Sequence, residues 1–579
     1  MTGRGKIRVK IRSISLAVML AVFQSAPVSV TAEESSGAYL AARQARYSSD
    51  YAVAAEYLVR ALAKDPSNAE ILEHTIAAYI SLGRIDSATP FAHRMEENNQ
   101  QSQAAQMVLL AAETKAADYD AILKRVSEGR GISPLADGLI SAWATLGQGD
   151  MSAALLLFDK VAKERGLRGF AIYHKALALA SVGDFESADK IYSGESDGPM
   201  QTTRRGTIAW VEVLSQLERN EDAIKVITDT FGSDLDPQMS GLRDSLARGE
   251  RLPFSRIPSA QEGIAEVFFS LGRALLSETG EDYVLLYSRI AENLSDSHID
   301  ARIMSAELLE KLERYDLATE AYKSVPRDHP MFHVAELGRS EALRKSEKTD
   351  AAIEVLEQLS GSHPELAIVH ATAGDMYRQL EQFDKASAAY DEAIRLYAKN
   401  ENNQWFVFYA RAISLERQDK WDLAEADFRK ALELSPEQPE ILNYLGYSLV
   451  EKQIKLDEAL NMIERAVAAQ PNSGFIVDSL GWVLYRLGRY SDAIGHMERA
   501  AELMPVDPVV NDHLGDVLWS VGRFTEAEFQ WKRALSFVDE NSTSQDVQPD
   551  RIRRKIEVGL DQVLEEEGSE PLEMANEDG

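Results

Sequence analysis

Asp478, Trp482 and Tyr485 follow one another at i, i+4 and i+7, which puts a carboxylate and two large rings on one helix stripe. Such a stripe suits recognition rather than bond-making. The acid offers charge to a basic group, and the rings offer rigid contact area and cation–π faces. The same stretch already has an apolar stripe for burial in Val477, Leu480, Gly481 and Leu484, rotated by about 100°. Other chemistry has little to work with. There is no cysteine, which excludes disulfides, a thiol nucleophile and thiolate metal sites. The 10 histidines are scattered. His329 and His333 are four apart with Pro330 between them, and no third metal ligand is visible. Neither a phosphate loop nor an H-E-x-x-H motif occurs, and no nucleophile elbow is expected. The sequence therefore predicts no enzyme, no cofactor and no metal site.

Charge narrows the partners. Acids number 93 against 62 bases, a formal net charge of −31. Nucleic acid demands a basic face, so it is excluded as a partner. Basic groups are attracted instead, over a screening length of about 8–10 Å.

The first residues are of a different kind. Arg4, Lys6, Arg8, Lys10 and Arg12 precede an apolar run from Ile14 to Phe23, and Val30-Thr31-Ala32 stands before Glu33-Glu34. Basic, apolar and small-residue segments in that order predict a signal peptide over residues 1–32, with the remainder exported to the periplasm. The apolar run falls short of the roughly 20 residues that span a bilayer, so no stable span is expected after cleavage. The other reading of this segment is an uncleaved anchor.

The elements that must carry the stripe are helices in a repeat. Ala493, in "YSDAIGHMERA", has counterparts at Ala527 and Ala459, 34 residues to either side. The same column continues back through Ala424, Ala386, Ala352, Ala318 and Val284, then Ala223, Ala188, Ala154, Ala121, Ala88 and Ala54. Four residues on, a large group recurs as Phe158, Tyr192, Tyr322, Tyr390, Phe428 and Trp531. Leu-Gly pairs at 445–446, 480–481 and 514–515 lie upstream, Gly488-Arg489 and Gly522-Arg523 mark turns, and Pro436, Pro471 and Pro505 end units. A small residue lets two helices cross closely, and the large one fills the space beside it. One helix pair cannot bury its own apolar face, so neighbours must stack.

These columns resemble the tetratricopeptide repeat, whose signature runs W-x2-L-G-x2-Y, then A-x3-F, then Pro. Fourteen such units are read between residues 36 and 539, although the opening large residue is aliphatic at Leu442 and Val477. The resemblance implies an all-α fold, a tetratricopeptide-type α-solenoid of antiparallel helix pairs in a right-handed superhelix. The expected organisation is a divergent lobe over 33–229, a hinge or degenerate repeat over 230–261, and a second lobe over 262–539 whose strongest repeats span 367–539. A capping helix is expected over 549–566 and an acidic disordered tail over 567–579.

The resemblance also implies protein or peptide binding on the concave side, which the first helix of each pair lines. The stripe of Asp478, Trp482 and Tyr485 continues as Asn443 and Tyr447 one unit earlier and as Asp512, Asp516 and Trp519 one unit later, with Tyr409 two units back. Together these form the candidate groove for a basic peptide. The alternative for Trp482 and Trp519 is plain packing between adjacent repeats. Family members that grip a C-terminal carboxylate use Lys, Arg and Asn on these faces; the acids at 478, 512 and 516 have the wrong sign for that activity. The expected function is an exported scaffold or adaptor in the cell envelope, with an envelope polysaccharide as the alternative ligand.

Overall fold

The computed structural model describes residues 30–200, 202–232, 235–397, 405–538 and 547–568, with side chains from residue 37. The expected signal segment up to residue 29 and the acidic tail from residue 569 lie outside the described residues. Among those described there are 31 helices and no strand, and no helix is long and apolar enough to cross a membrane. The fold is an all-α tetratricopeptide-type solenoid. The chain divides into two compact units, Met1–Phe332 and His333–Gly579.

The repeat columns do the packing that their sizes predict. Every member of the small-residue column except Ala121 is completely buried, Val284 included. The large residues four positions on are buried too, and Trp531 and Tyr390 each meet a glycine of the preceding helix. A Cβ at Gly515 would lie 2.3 Å from the Trp531 ring, and one at Gly374 would lie 2.6 Å from Tyr390. The Leu-Gly pair and the large residue are thus two halves of one close helix crossing.

The turn within most pairs uses a left-handed residue. Glycine supplies it at Gly83, Gly149, Gly183, Gly488 and Gly522, but Glu218, Glu313, Glu347, Glu381 and Asp419 adopt the same positive φ elsewhere. The left-handed conformation costs a non-glycine residue roughly 1–2 kcal/mol, which the stacked pairs on either side must outweigh.

In the first unit, the pair Ala260–Leu275 and Glu281–Leu294 leaves the nearest-neighbour order. Ala260–Leu275 packs on Pro134–Gly147 and Arg168–Ser181, and Glu281–Leu294 packs on Ala69–Ser81 and Gln103–Lys115. Gly263 permits the approach, since a Cβ there would sit 2.2 Å from the buried Trp143 ring. Polar contacts pin the pair: Tyr283 donates to Gln103 Oε1 at 2.7 Å, and Arg289 Nε to the Ser81 carbonyl at 3.3 Å. Arg205 donates to Glu266 at 2.6 Å and to Asp300 at 2.9 Å. First helices of this unit therefore face a segment of their own chain.

The stretch 230–261, expected as a hinge or degenerate repeat, lies within this first unit. It contains the helix Pro237–Ala247 and a connection tied to Arg204–Gln216. Leu252 N donates to Ser215 Oγ at 2.9 Å, while Ser255 N and Arg256 Nε donate to Glu212 at 2.9 and 3.0 Å. The proline and glycine content that suggests a hinge here serves a bonded connection that leads the chain back to the earlier helices.

One string escaped the motif reading. Gly194-Glu195-Ser196-Asp197-Gly198 has the G-x-S-x-G spacing of a nucleophile elbow. It follows the helix Phe185–Tyr192 rather than a strand, and Ser196 Oγ donates to the adjacent Asp197 at 3.0 Å. The strand-to-helix turn and the histidine base that would activate such a serine are missing from this arrangement among the described residues.

Candidate functional site: an acidic and aromatic stripe in the second unit

Three first helices carry most of the stripe: Pro439–Glu451, Gly474–Arg486 and Pro508–Ser520. Proline at the first position of the outer two sets their starts, and Asp507 caps the third by accepting from Val510 N at 3.0 Å. Each buries its Leu-Gly stripe against its own second helix, which turns the stripe residues towards the neighbouring pair.

The middle of the stripe is a stack. Trp482 lies against Tyr485 at 4.8 Å between centroids and against His513 of the next pair at 3.9 Å, with planes 24° and 14° apart. Its Nε1 donates to Glu451 of the previous pair at 2.8 Å. Asp478 pairs with His513 Nδ1 at 3.0 Å, and both are buried. Burial alone would lower the His513 pKa; the Asp478 carboxylate, with Asp512 and Asp516 beyond it, outweighs that and raises it. Tyr485 is buried, and that burial raises its hydroxyl pKa strongly. Trp482 thus binds three successive pairs together.

The C-terminal end of the stripe is occupied. After the last pair come two short helices, Pro549–Val558 and Leu560–Glu566, where one capping helix over 549–566 was expected. Gly559 breaks them at a φ of +84°, and a Cβ there would strike Trp519 at 2.5 Å. Trp519 Nε1 in turn donates to Asp561 at 3.0 Å. From the first of these helices Lys555 enters, its side chain fully buried, and its ammonium lies 2.9 Å from Asp512 and 2.6 Å from Asp516. Trp531 Nε1 donates to Asp516 at 2.8 Å, and Arg551 stands 3.6 Å from the same carboxylate. Burial and the neighbouring charge of Asp516 raise the Asp512 pKa against the pull of Lys555.

The N-terminal end is open. Asn443, Tyr447 and Asp478 line a cavity of about 700 Å³, together with Glu451, Phe475 and His513. Phe475 is 50% exposed, and Asn443 is buried with an amide oxygen that has no hydrogen-bond partner. Acids predominate around it, since Glu416 and Asp419 join Asp478 and Glu451 against Arg417 and Lys452. Tyr409 lies outside this lining; its ring packs near Phe428 and Tyr444, each centroid 6.0 Å away, and burial pushes its pKa up to about 12. The structure therefore joins Asn443, Tyr447 and Asp478 around one cavity. Trp482 packs between adjacent helix pairs, and Tyr485 is buried against Trp482 and Tyr490. Trp519 packs against Trp531 and the C-terminal helices, and Asp512 and Asp516 lie under the first of those helices.

Sequence reasoning missed His513 and Lys555. Lys555 falls between Ile552 and Ile556 in an amphipathic pattern, and a lysine flanked by core positions was the available signal. No group of three or more His, Cys, Asp or Glu among the described residues could hold a metal ion.

Comparison with known proteins settles the family. The family model "Tetratricopeptide repeat" matches residues 39–102, 337–401, 409–474, 452–508 and 479–536. The chain is a tetratricopeptide repeat protein. A relative in Pseudomonas aeruginosa, the TPR repeat-containing protein PA4667, is 31% identical over 110 residues, covering 19% of this chain and 18% of that protein. The chain thus matches less than a fifth of that relative's length. Solved structures with some likeness include the APC/C hetero-tetramer Cut9-Hcn1, at 14% identity and TM-score 0.38 over 91% of this chain and 96% of that one. Yeast Tom70 is another, at 14% identity and TM-score 0.35 over 93% and 99%.

Proposed function

We propose that this tetratricopeptide repeat protein is an exported scaffold or adaptor of the cell envelope, and that its second unit holds a basic peptide or protein segment against Asn443, Tyr447 and Asp478. The observation that carries the reading is Lys555. The acids one unit along from Asp478 already neutralise a buried ammonium, so a basic group is the chemistry these carboxylates accommodate. The open cavity repeats that acidic and aromatic character, and Asp419 on its lining makes no ion pair among the described residues. Polysaccharide binding is less favoured, because Trp482 is already stacked on Tyr485 and His513.

A lysine-rich peptide, its glutamate counterpart and an envelope polysaccharide test the site when titrated against the full chain. The lysine peptide is expected to bind with an affinity that falls as salt rises. Charge reversal at the rim, Glu416→Lys with Asp419→Lys, should weaken it about tenfold while the helical signal stays unchanged. Equal affinity for the glutamate peptide, or an unaffected variant, defeats the reading; saturable binding of the polysaccharide alone favours the alternative. Export has its own check. Mature protein should begin near Glu33 and fractionate with soluble periplasm, and intact Met1-containing protein in the membrane pellet would contradict it.

A further inference from the structure

We infer that the first unit carries a second binding site, for a small amphiphile with an anionic headgroup on an apolar tail. It is independent of the peptide groove. A cavity of about 530 Å³ opens where the helices Arg168–Ser181 and Ala260–Leu275 meet, within the size range of small-molecule sites. Phe170, Pro199, Met200 and Phe269 supply apolar walls. Arg168 and Arg273 stand exposed on the same lining.

Neither arginine makes an ion pair among the described residues, although acids outnumber bases by 93 to 62 in this chain. Arg273 lies over the Phe269 ring at 5.9 Å, which holds its guanidinium beside the apolar wall. The Arg168 Nη2 atom would be 3.5 Å from a Cβ at Gly198, next to Pro199 of the lining. The cavity's own carboxylate is already engaged: Glu266 accepts from Arg205 at 2.6 Å and from Tyr173 at 2.9 Å, and lies 3.3 Å from His298. A third feature adds to the two cations. Arg168–Ser181 begins on the rim with no capping side chain, and a Cβ at Gly169 would meet nothing within 4 Å. Planar guanidinium groups bind carboxylate and phosphate oxygens in pairs, so either headgroup satisfies the site while the tail leaves water along the aromatic and methionine wall.

Dodecanoate, dodecyl phosphate and dodecanol, each titrated into the full chain by calorimetry below its micelle-forming concentration, distinguish the sources. Saturable binding of one equivalent of dodecanoate or dodecyl phosphate is expected, and the stronger of the two names the headgroup. Dodecanol should bind at least about tenfold more weakly, the loss of one charge-assisted contact. Arg168→Gln with Arg273→Gln, two exposed positions, should weaken the anionic ligands by a similar factor and leave the helical signal unchanged. Absence of saturable binding by both anions, equal affinity for dodecanol, or unchanged affinity in the double variant would overturn the assignment.

Discussion

Lys555→Met is expected to lower the stability of the second unit by about 3–5 kcal/mol, because the buried Asp516 and half-buried Asp512 lose the ammonium between them. Methionine keeps most of the volume, so the loss is electrostatic rather than a cavity. Hydrogen exchange should accelerate in Pro508–Ser520 and Phe524–Phe537 and remain as it was in the helices of the first unit. The pH dependence carries the sign. The Asp512 pKa is raised, first by burial and then by Asp516, so the folded chain binds more protons than the unfolded one above the ordinary aspartate value of about 3.9. Its contribution to stability is complete below that value and is lost as pH rises through the raised one. Removing Lys555 removes a group that lowers this pKa, so the window extends upward and the variant should regain stability on acidification from neutral pH. Adding Asp512→Asn and Asp516→Asn should restore most of the loss at neutral pH. Unchanged protection in the single variant would mean that the C-terminal helix is not seated on these acids.

Arg205→Leu should cost the first unit a comparable 3–5 kcal/mol, since Glu266 and Asp300 are left without their common cation. Burial pushes the Glu266 carboxyl up, but Arg205, followed by His298, outweighs it and holds the pKa well below the usual range. In the parent, that stabilisation is present above the ordinary glutamate value of about 4.3 and is lost as pH falls through the depressed one. The variant should show the reverse slope, gaining stability as mild acid protonates an uncompensated carboxylate. Urea unfolding at neutral pH and near pH 5 measures both slopes. Parallel profiles would show that Arg205 does not hold Glu266 charged. Arg205→Lys should recover only part of the loss, because one ammonium cannot reproduce the guanidinium's separate bonds to Glu266 and Asp300.

Local, repeated features were legible in the sequence, and features made by distant residues were not. The alanine column and its large partners could be read because each crossing joins residues within one 34-residue unit, as with Gly515 and Trp531. The stripe could be read for the same reason, since helical spacing alone puts Asp478, Trp482 and Tyr485 together. What covers the stripe could not. Lys555 meets acids 39 and 43 residues earlier, and lysine is the residue type least expected at full burial. The turns at Glu313, Glu347 and Glu381 were hidden because glutamate rarely adopts a left-handed conformation. The returning pair at 260–294 was hidden because stacking logic provides only for neighbours, whereas Tyr283 reaches back 180 residues to Gln103.

That returning pair also governs how the first unit can be made. A ladder of helix pairs usually folds as it is synthesised, each new pair docking on the last. Here the helices Ala69–Ser81 and Gln103–Lys115 receive their covering only when Glu281–Leu294 exists. At about 5–20 residues per second, those apolar faces stay bare for roughly ten to forty seconds of chain growth. Contacts of such long sequence separation slow the final step further. The nascent first unit is therefore a natural client for a holding chaperone, and a chain truncated before residue 260 would leave the same faces open to aggregation.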